Sequence, residues 1–446
     1  MSMKRFKLLS IVLLLVSAVA VRADKIDDYV KSEMQRQHLP GLSLAVIKEG
    51  KIIKAEGYGL ANVELNVPAR PDTVYKIGSV SKQFIASGIM LLVDEGRINL
   101  DDKVSKYLDG TPESWKDITV RNLLTHTSGI VREAPGFDPL KVQSDADVIK
   151  TAYTSPLRFA PGEKWEYCNV GYFTLAEIIH KVTGKSWGEF LTERIFAPSE
   201  MKATRTTTVT ELITNRASGY YWDNGKFLNA PVYFALRPSG AFLSTVLDLA
   251  KWDAILYSDK VLKQSLRNQM WTPVKLNSGS TYPYGFGWGF DAVGGHKLIS
   301  HNGALPGFRA AFARFVDDKL SIVILTNGDD ANADALALGV ADLYLPGLLP
   351  VHTAAKVDSK ILASYAGQYQ TGSSTVITVE FTNSKLTMKQ GSNGVARELI
   401  PESESNFFII DNRRAAYTFV KDASGQVTEF VLKLDGKETA RAKKTK

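Results

Sequence analysis

Apolar positions between Lys25 and Gln37 recur at helical spacing and stop before Pro40, which predicts an amphipathic opening helix. Leu42–Ile47 and Lys51–Tyr58 flank Glu49-Gly50 as the two arms of a hairpin. Phe84, Ile85, Ile89, Met90, Leu91, Leu92 and Val93 then cover most of a helix circumference, and Gly96 ends it, so this helix belongs inside the core. From about Leu100 to Gly289 helical patterns and loops dominate, among them Val120–Leu124, Asn169–Lys181 and Thr245–Leu256. Thr245 and Asp248 have the spacing of a capping box for the last of these. Sheet character returns at Lys297–Ser300, Arg309–Phe315 and Leu320–Leu325, followed by a closing helix over Asn332–Leu343.

A helical block inserted between two sheet-forming ends predicts an α+β domain over residues 24–346. Its antiparallel sheet is flanked by helices from both termini and carries a large helical insert. Pro346, Gly347 and Pro350 begin a linker spanning 347–359. From 360 to 446 the texture changes to short alternating runs: Gly367–Gln370, Val376–Phe381, Lys385–Lys389, Asn406–Ile410, Ala416–Val420 and Val427–Leu434. Turn pairs such as Ser424-Gly425 and Asp435-Gly436 separate them, the pattern of a small antiparallel barrel.

The first 23 residues stand apart. Lys4, Arg5 and Lys7 precede the apolar run Leu8–Val21, and small residues lie at Val21-Arg22-Ala23, the layout of a secretory signal. The run is short against the roughly 20 residues of a membrane span, so no stable span is expected once the segment is cleaved. Cleavage would remove four positive charges and no acids, lowering the net charge from +7 to +3. Four more cations crowd the end (Arg441, Lys443, Lys444, Lys446), which leaves a near-neutral body and no case for nucleic acid. Cys168 is the single cysteine, so no internal disulfide forms. These features point to a periplasmic or secreted protein.

Candidate chemistry centres on Ser79 and Lys82 in Gly78-Ser79-Val80-Ser81-Lys82, at the start of the buried helix. Helical rise puts the two on adjacent turns, roughly 4.5–5 Å apart along the axis. The lysine can take the serine proton if burial and nearby positive charge keep its amine neutral. A second Ser-x-x-Lys, Ser199 to Lys202, comes after Pro198 and leads into Thr206-Thr207-Thr208; it reads as a surface turn. Tyr167-Cys168-Asn169 offers a phenol as proton shuttle and an amide to hold both lysine and a substrate carbonyl, though taken alone it reads first as a core tyrosine with a capping asparagine. His301-Asn302-Gly303 comes after a strand; its glycine admits a substrate backbone, and the Ala304 N–H can complete an oxyanion hole with that of Ser79. His126, in Thr125-His126-Thr127-Ser128-Gly129, braces a loop or serves behind the site. Gly285, Gly287 and Gly289 alternate as if to bare one face of a strand.

In this order the motifs resemble the serine β-lactamase and penicillin-binding protein superfamily, on the class C β-lactamase, D-aminopeptidase and esterase side, over residues 25–345. Flanks at Leu123-Leu124, Pro161-Gly162-Glu163 and Gly240-Ala241-Phe242-Leu243-Ser244-Thr245 strengthen the likeness. The resemblance implies Ser79 as acylated nucleophile, Lys82 as its base and Tyr167 as the relay to the leaving group and the deacylating water. The terminal segment resembles lipocalin-like modules through Leu362-Ala363-Ser364-Tyr365-Ala366-Gly367 and Leu399-Ile400-Pro401-Glu402-Ser403.

Two residues depart from the family pattern and alter the expected chemistry. His301 stands where the antibiotic-resistance enzymes usually carry lysine, and imidazole, with a pKa of about 6.5, is mostly neutral at pH 7. Cys168 replaces the usual serine and reads as a small packed residue. The expected function is an exported serine hydrolase acting through acyl-Ser79 on D-amino-acid peptides or small carboxylic esters. A true class C-like β-lactamase is the nearest alternative, and a non-catalytic binder of cell-wall fragments or scaffold is the second. The sequence has no Gly-x-Ser-x-Gly elbow and no His-Glu-x-x-His helix, and its six histidines lack ligand spacing, so neither metal nor cofactor is expected. The partner is a small molecule or short peptide; the barrel is expected to limit which substrates reach Ser79 and offers a route to homo-oligomers.

Overall fold

The computed structural model describes residues 25–206, 210–232, 237–240, 242–372, 375–391 and 395–446. The signal segment, Thr207, Thr208 and Ala241 lie outside the described residues. The chain divides into two compact units, one running to Ala292 and resuming over His296–Leu343, the other holding Val293–Gly295 and Tyr344–Lys446.

The first unit is built on a seven-stranded sheet. In chain order its strands are β1 (Gly41–Lys48), β2 (Lys51–Asn62), β3 (Val67–Pro68), β4 (Gly289–Val293), β5 (His296–Leu305), β6 (Phe308–Phe315) and β7 (Leu320–Thr326). Their order across the sheet is β4-β5-β6-β7-β1-β2-β3. β1 and β7 pair antiparallel from Leu42↔Thr326 to Lys48↔Leu320, joining the two ends of the unit. Both strands are buried almost throughout, since each is covered on both faces. That is why Leu42–Ile47 reads as an apolar run broken only by Ser43 rather than as an alternation. Helix α1 (residues 25–36) packs against the helix Ala333–Asp342, where a side chain on Gly339 would strike the Tyr29 ring.

The insert supplies the central helix α2 (Lys82–Asp94), which buries eleven of its thirteen residues. Burying large side chains such as Phe84, Ile89 and Leu92 contributes about 1.5–3 kcal/mol each. Glu95 caps it and Gly96 reverses the chain at φ +70°. Helix α3 (Asn169–Thr183) begins at Asn169, as its pattern predicts, with Cys168 as its cap. Helix α4 (Val246–Ile255) is capped by Thr245 accepting from the Asp248 N–H. The reciprocal half of that predicted box is not made. Asp248 Oδ2 turns instead to the N–H groups of Ala203 and Thr204, at 2.7 and 2.9 Å.

Three other expectations change. Strand β5 does not stop at Ser300 but runs through His301-Asn302-Gly303 to Leu305, held along its length by β6. The glycine-alternating stretch is a bend: Gly287 has φ +75°, and a side chain there would press within 2.9 Å of the Lys82 carbonyl oxygen. Ser199 sits in a turn, as expected, but it is buried rather than on the surface.

The second unit is a closed barrel of eight antiparallel strands, β8 (Gly367–Thr371), β9 (Val376–Thr382), β10 (Lys385–Gln390), β11 (Arg397–Pro401), β12 (Asn406–Ile409), β13 (Asn412–Lys421), β14 (Val427–Leu434) and β15 (Lys437–Lys444). Pairing of β8 with both β9 and β15 closes it and leaves no open edge. β11 and β15 are additional to the six predicted strands, and a short helix, Ser359–Ser364, precedes the barrel. Aromatic side chains fill the interior: the Phe419 ring lies 4.4–5.8 Å from those of Tyr365, Tyr369, Phe407 and Phe430. Among the described residues no helix is long and apolar enough to cross a membrane.

Candidate active site

Ser79 lies in a single 3-10 turn, Gly78–Ser81, that leads directly into α2. The segment before it is clamped from both sides. Tyr75-Lys76 pairs with Leu243-Ser244, and the Ile77 N–H donates to the Phe242 carbonyl at 3.0 Å. On the other side a side chain on Gly303 would come within 2.0 Å of the Ile77 carbonyl oxygen, and one on Gly78 within 2.6 Å of the Ala304 nitrogen. Only glycine at both positions lets β5 lie against the nucleophile turn, and Gly78 also needs it for φ +53°. The backbone nitrogens of Ser79 and Ala304 are thereby brought to the same edge, where an oxyanion can accept from both.

Lys82 is fully buried, and its amine has three neighbours. Nζ is 2.8 Å from Asn169 Oδ1, 2.8 Å from the Ser239 carbonyl oxygen and 3.2 Å from Ser79 Oγ. Two of these atoms can only accept. A neutral amine has two hydrogens for them and one lone pair left, which can accept from the remaining neighbour, the Ser79 hydroxyl. Burial is the main cause holding the Lys82 pKa well below the usual lysine value, followed by the Arg237 charge; Glu133 partly opposes them.

Asn169 has its orientation set from outside. Its Nδ2 donates to Glu133, whose other oxygen takes Arg237 Nη2 at 2.6 Å. Tyr167 presents its ring to the Lys82 amine at 4.7 Å from the centroid and to the Arg132 guanidinium at 5.4 Å. Its hydroxyl is buried with no protein hydrogen-bond partner. Burial raises the phenol pKa, with the nearby Ser79 hydroxyl pulling weakly the other way, so Tyr167 keeps its proton until something basic arrives. A leaving group attached to the acylated carbonyl would be such a base.

His126 and His301 sit behind these groups. The His301 ring is engaged at both nitrogens, Nδ1 by the Asn302 carbonyl at 2.7 Å and Nε2 by Tyr284 Oη at 2.9 Å. Burial and the Lys82 charge push its pKa down to about 3. It is a neutral, occupied ring, with no nitrogen left to grip a substrate carboxylate. His126 Nδ1 accepts the Cys168 N–H, and its ring lies 4.4 Å from that of Tyr167. Cys168 itself donates to the Val131 carbonyl and accepts the Gly171 N–H, and burial pushes its thiol up to about 12. Among the described residues no group of histidine, cysteine and acidic side chains could hold a metal ion.

The structure thus gathers Ser79, Lys82, Tyr167, Asn169, Gly303 and Ala304 around one point, with His126 and His301 in support. Sequence reasoning missed Glu133, Arg132, Arg237, Ser239 and Tyr284. None has a local signature: Ser239 acts through its carbonyl, and Tyr284 is one phenol beside a glycine-rich bend.

Known proteins are similar to this chain over most of its length. Residues 26–344 match the Beta-lactamase family model. This chain belongs to the β-lactamase family. Residues 351–444 match a second model, a domain of unknown function called DUF3471. A penicillin-binding protein of Bacillus subtilis is 30% identical over 87% of this chain and 92% of its own length. A D-aminopeptidase of Brucella canis is 29% identical over 74% of this chain and 64% of the relative. The solved octameric penicillin-binding protein homologue from Pyrococcus abyssi superposes with a TM-score of 0.69 at 25% identity, covering 94% of this chain and 99% of that one. As a member of this family the chain is a serine hydrolase of the acyl-enzyme type.

Proposed function

We propose that this β-lactamase family member is an exported hydrolase that forms an acyl-Ser79 intermediate and cleaves amide or ester bonds in D-amino-acid peptides or small carboxylic esters. One observation carries the reading: a buried amine whose two hydrogens are claimed by Asn169 and Ser239 and whose lone pair faces Ser79. Ser79 gives its proton to Lys82 as Oγ attacks the carbonyl carbon. The oxyanion accepts from the Ser79 and Ala304 N–H groups, and loss of one such donor typically costs about 10²–10³ in turnover. Tyr167 donates its proton to the departing amine or alkoxide and recovers one from Lys82. In the second half a water attacks the acyl carbonyl as its proton passes, by way of the Tyr167 hydroxyl, to the neutral Lys82 amine, which then returns a proton to Ser79 Oγ as the carboxylic acid leaves.

The substrate class rests on two points. The Brucella canis relative is a D-aminopeptidase. The His301 ring offers no charge to the carboxylate that a β-lactam carries, which argues against efficient antibiotic hydrolysis. A panel comparing a D-alanyl peptide, a short-chain nitrophenyl ester and a chromogenic cephalosporin tests this, with Ser79→Ala as control. Turnover of the first two and little of the third is expected; a reversed ranking overturns the substrate class, and turnover surviving in Ser79→Ala overturns the nucleophile. Export is checked by cell fractionation. Self-assembly, which the octameric relative favours, is checked by sedimentation of the full chain.

A further inference from the structure

Four elements far apart in sequence meet at one phenol behind the reacting groups. His126 lies just past the short helix Val120–Leu124, Cys168 caps α3, Tyr284 sits in the bend before β4, and His301 lies in β5. Their contacts form a single file: Cys168 N to His126 Nδ1 at 3.1 Å, His126 Nε2 to Tyr284 Oη at 3.2 Å, Tyr284 Oη to His301 Nε2 at 2.9 Å, and His301 Nδ1 to the Asn302 carbonyl oxygen at 2.7 Å.

The two ends dictate the direction of every bond. A backbone N–H can only donate, so His126 Nδ1 is bare and its hydrogen is on Nε2. A backbone carbonyl can only accept, so His301 carries its hydrogen on Nδ1 and leaves Nε2 bare. Tyr284 then accepts from His126 and donates to His301. A hydroxyl does both, and with both rings neutral no other placement of the protons satisfies all four contacts.

We propose that Tyr284 is a positioning residue that fixes His126 and His301 as opposite neutral tautomers, thereby tying the Tyr167 loop to the Gly303–Ala304 edge and keeping added positive charge away from Lys82. The inference rests on the proposed hydrolase activity for its consequence in catalysis, but not for the tautomers themselves. A second proton on His126 would set an N–H against the Cys168 amide, and one on His301 would turn the Tyr284 hydrogen away from that ring. The surroundings add to this. His126 is enclosed by the rings of Trp165, Tyr167, Tyr172 and Tyr284 and faces the charges of Lys82 and Arg132. His301 faces Tyr167, Tyr284 and Lys82. Burial, then the Lys82 charge, holds both imidazoles below their usual range, and burial keeps the Tyr284 phenol protonated.

The direct test uses the full chain labelled with ¹⁵N-histidine and two-bond nitrogen–proton correlations near pH 7, with His126→Gln and His301→Gln supplying the assignments. His126 should appear as the Nε2–H tautomer and His301 as the Nδ1–H tautomer, both neutral. A cationic ring, or both rings in the same tautomer, overturns the proposal. This readout needs no turnover, so it stands or falls separately from acylation at Ser79. In Tyr284→Phe, kcat on a nitrophenyl ester should fall on the order of 10–100-fold with KM changed by less than about threefold, as expected for misplaced reacting groups. Its acid limb should move to lower pH, because the freed His301 Nε2 takes a proton and that charge favours the neutral Lys82 amine. An unchanged limb with both tautomers retained overturns the role given to the phenol; should the variant not fold, the wild-type tautomers decide.

Discussion

Lys82 Nζ lies 2.8 Å from Asn169 Oδ1, and the amide cannot be turned over because its Nδ2 is committed to Glu133. The asparagine therefore only ever accepts from the lysine, and it does so without adding charge. Asn169→Asp would keep the shape and supply a carboxylate. An anion at that distance favours the ammonium form and raises the lysine pKa by about 1–3 units. Acylation needs the neutral amine, so its acid limb should move to higher pH by a similar amount, with turnover at pH 7 falling accordingly. A pH–rate profile superimposable on wild type would show that Asn169 does not govern the amine.

Gly303→Ala puts a carbon within 2.0 Å of the Ile77 carbonyl oxygen, on a backbone clamped by β6 and by the nucleophile turn. Neither neighbour is a flexible side chain, so relief requires β5 to move away from Ser79. The expected cost is about 1–3 kcal/mol of stability, read by urea unfolding, together with a kcat loss on the order of 10²-fold as the Ala304 donor shifts. Full activity in the variant would mean that the strand edge contributes no oxyanion donor.

Asp253 and Arg314 form a buried pair within this unit, with Arg314 Nε donating to Asp253 Oδ1 at 2.6 Å and Ser321 Oγ to the same oxygen at 2.7 Å. The guanidinium also lies over Tyr257 and Trp271, at 4.9 and 5.2 Å from their centroids. Asp253→Ala leaves that cation buried without its carboxylate and should cost about 3–5 kcal/mol. Replacing both partners with leucine should cost less than the single change. A single variant within about 1 kcal/mol of wild type by urea denaturation would refute the coupling.

His301 links stability to pH with a definite sign. Its folded pKa of about 3 lies below the unfolded value near 6.5. Between those values the unfolded chain binds the extra proton and the folded chain does not, so stability is present above pH 6.5 and is lost as pH falls toward 3. Between pH 7 and 5 this ring should account for about 2 kcal/mol. Comparing the pH dependence of urea midpoints in wild type and His301→Gln isolates it from the carboxylates. Equal slopes would show that the ring titrates normally in the folded protein.

Much of the first unit was legible because its elements carry strong periodicity and end signals. α2 announced itself through its apolar circumference and Gly96, and the β1–β2 hairpin through Glu49-Gly50. β5 was cut short because His301-Asn302-Gly303 looks like loop chemistry, while the pairing with β6 that continues the strand is non-local. In the barrel, β15 reads Lys-Glu-Thr-Ala-Arg-Ala-Lys-Lys, with almost no apolar side chains; it exists because β8 and β14 supply hydrogen-bond partners on both edges. At the site, residues with distinctive spacing (Ser79, Lys82, Tyr167, Asn169) were readable. Glu133, Arg237 and Tyr284 were not, because their roles depend on distances across the fold that no local pattern encodes.

The proposed acylation of Ser79 requires that Lys82 act as a base rather than as a charge. Fluorophosphonate labelling with peptide mass analysis, comparing wild type with Lys82→Arg, tests it most directly. Arginine retains the positive charge and cannot be deprotonated in a protein. The label should appear on the peptide containing Ser79, and its rate of attachment should fall on the order of 10²–10⁴-fold in the variant. Labelling of Lys82→Arg at the wild-type rate, or label recovered on a residue other than Ser79, would contradict it.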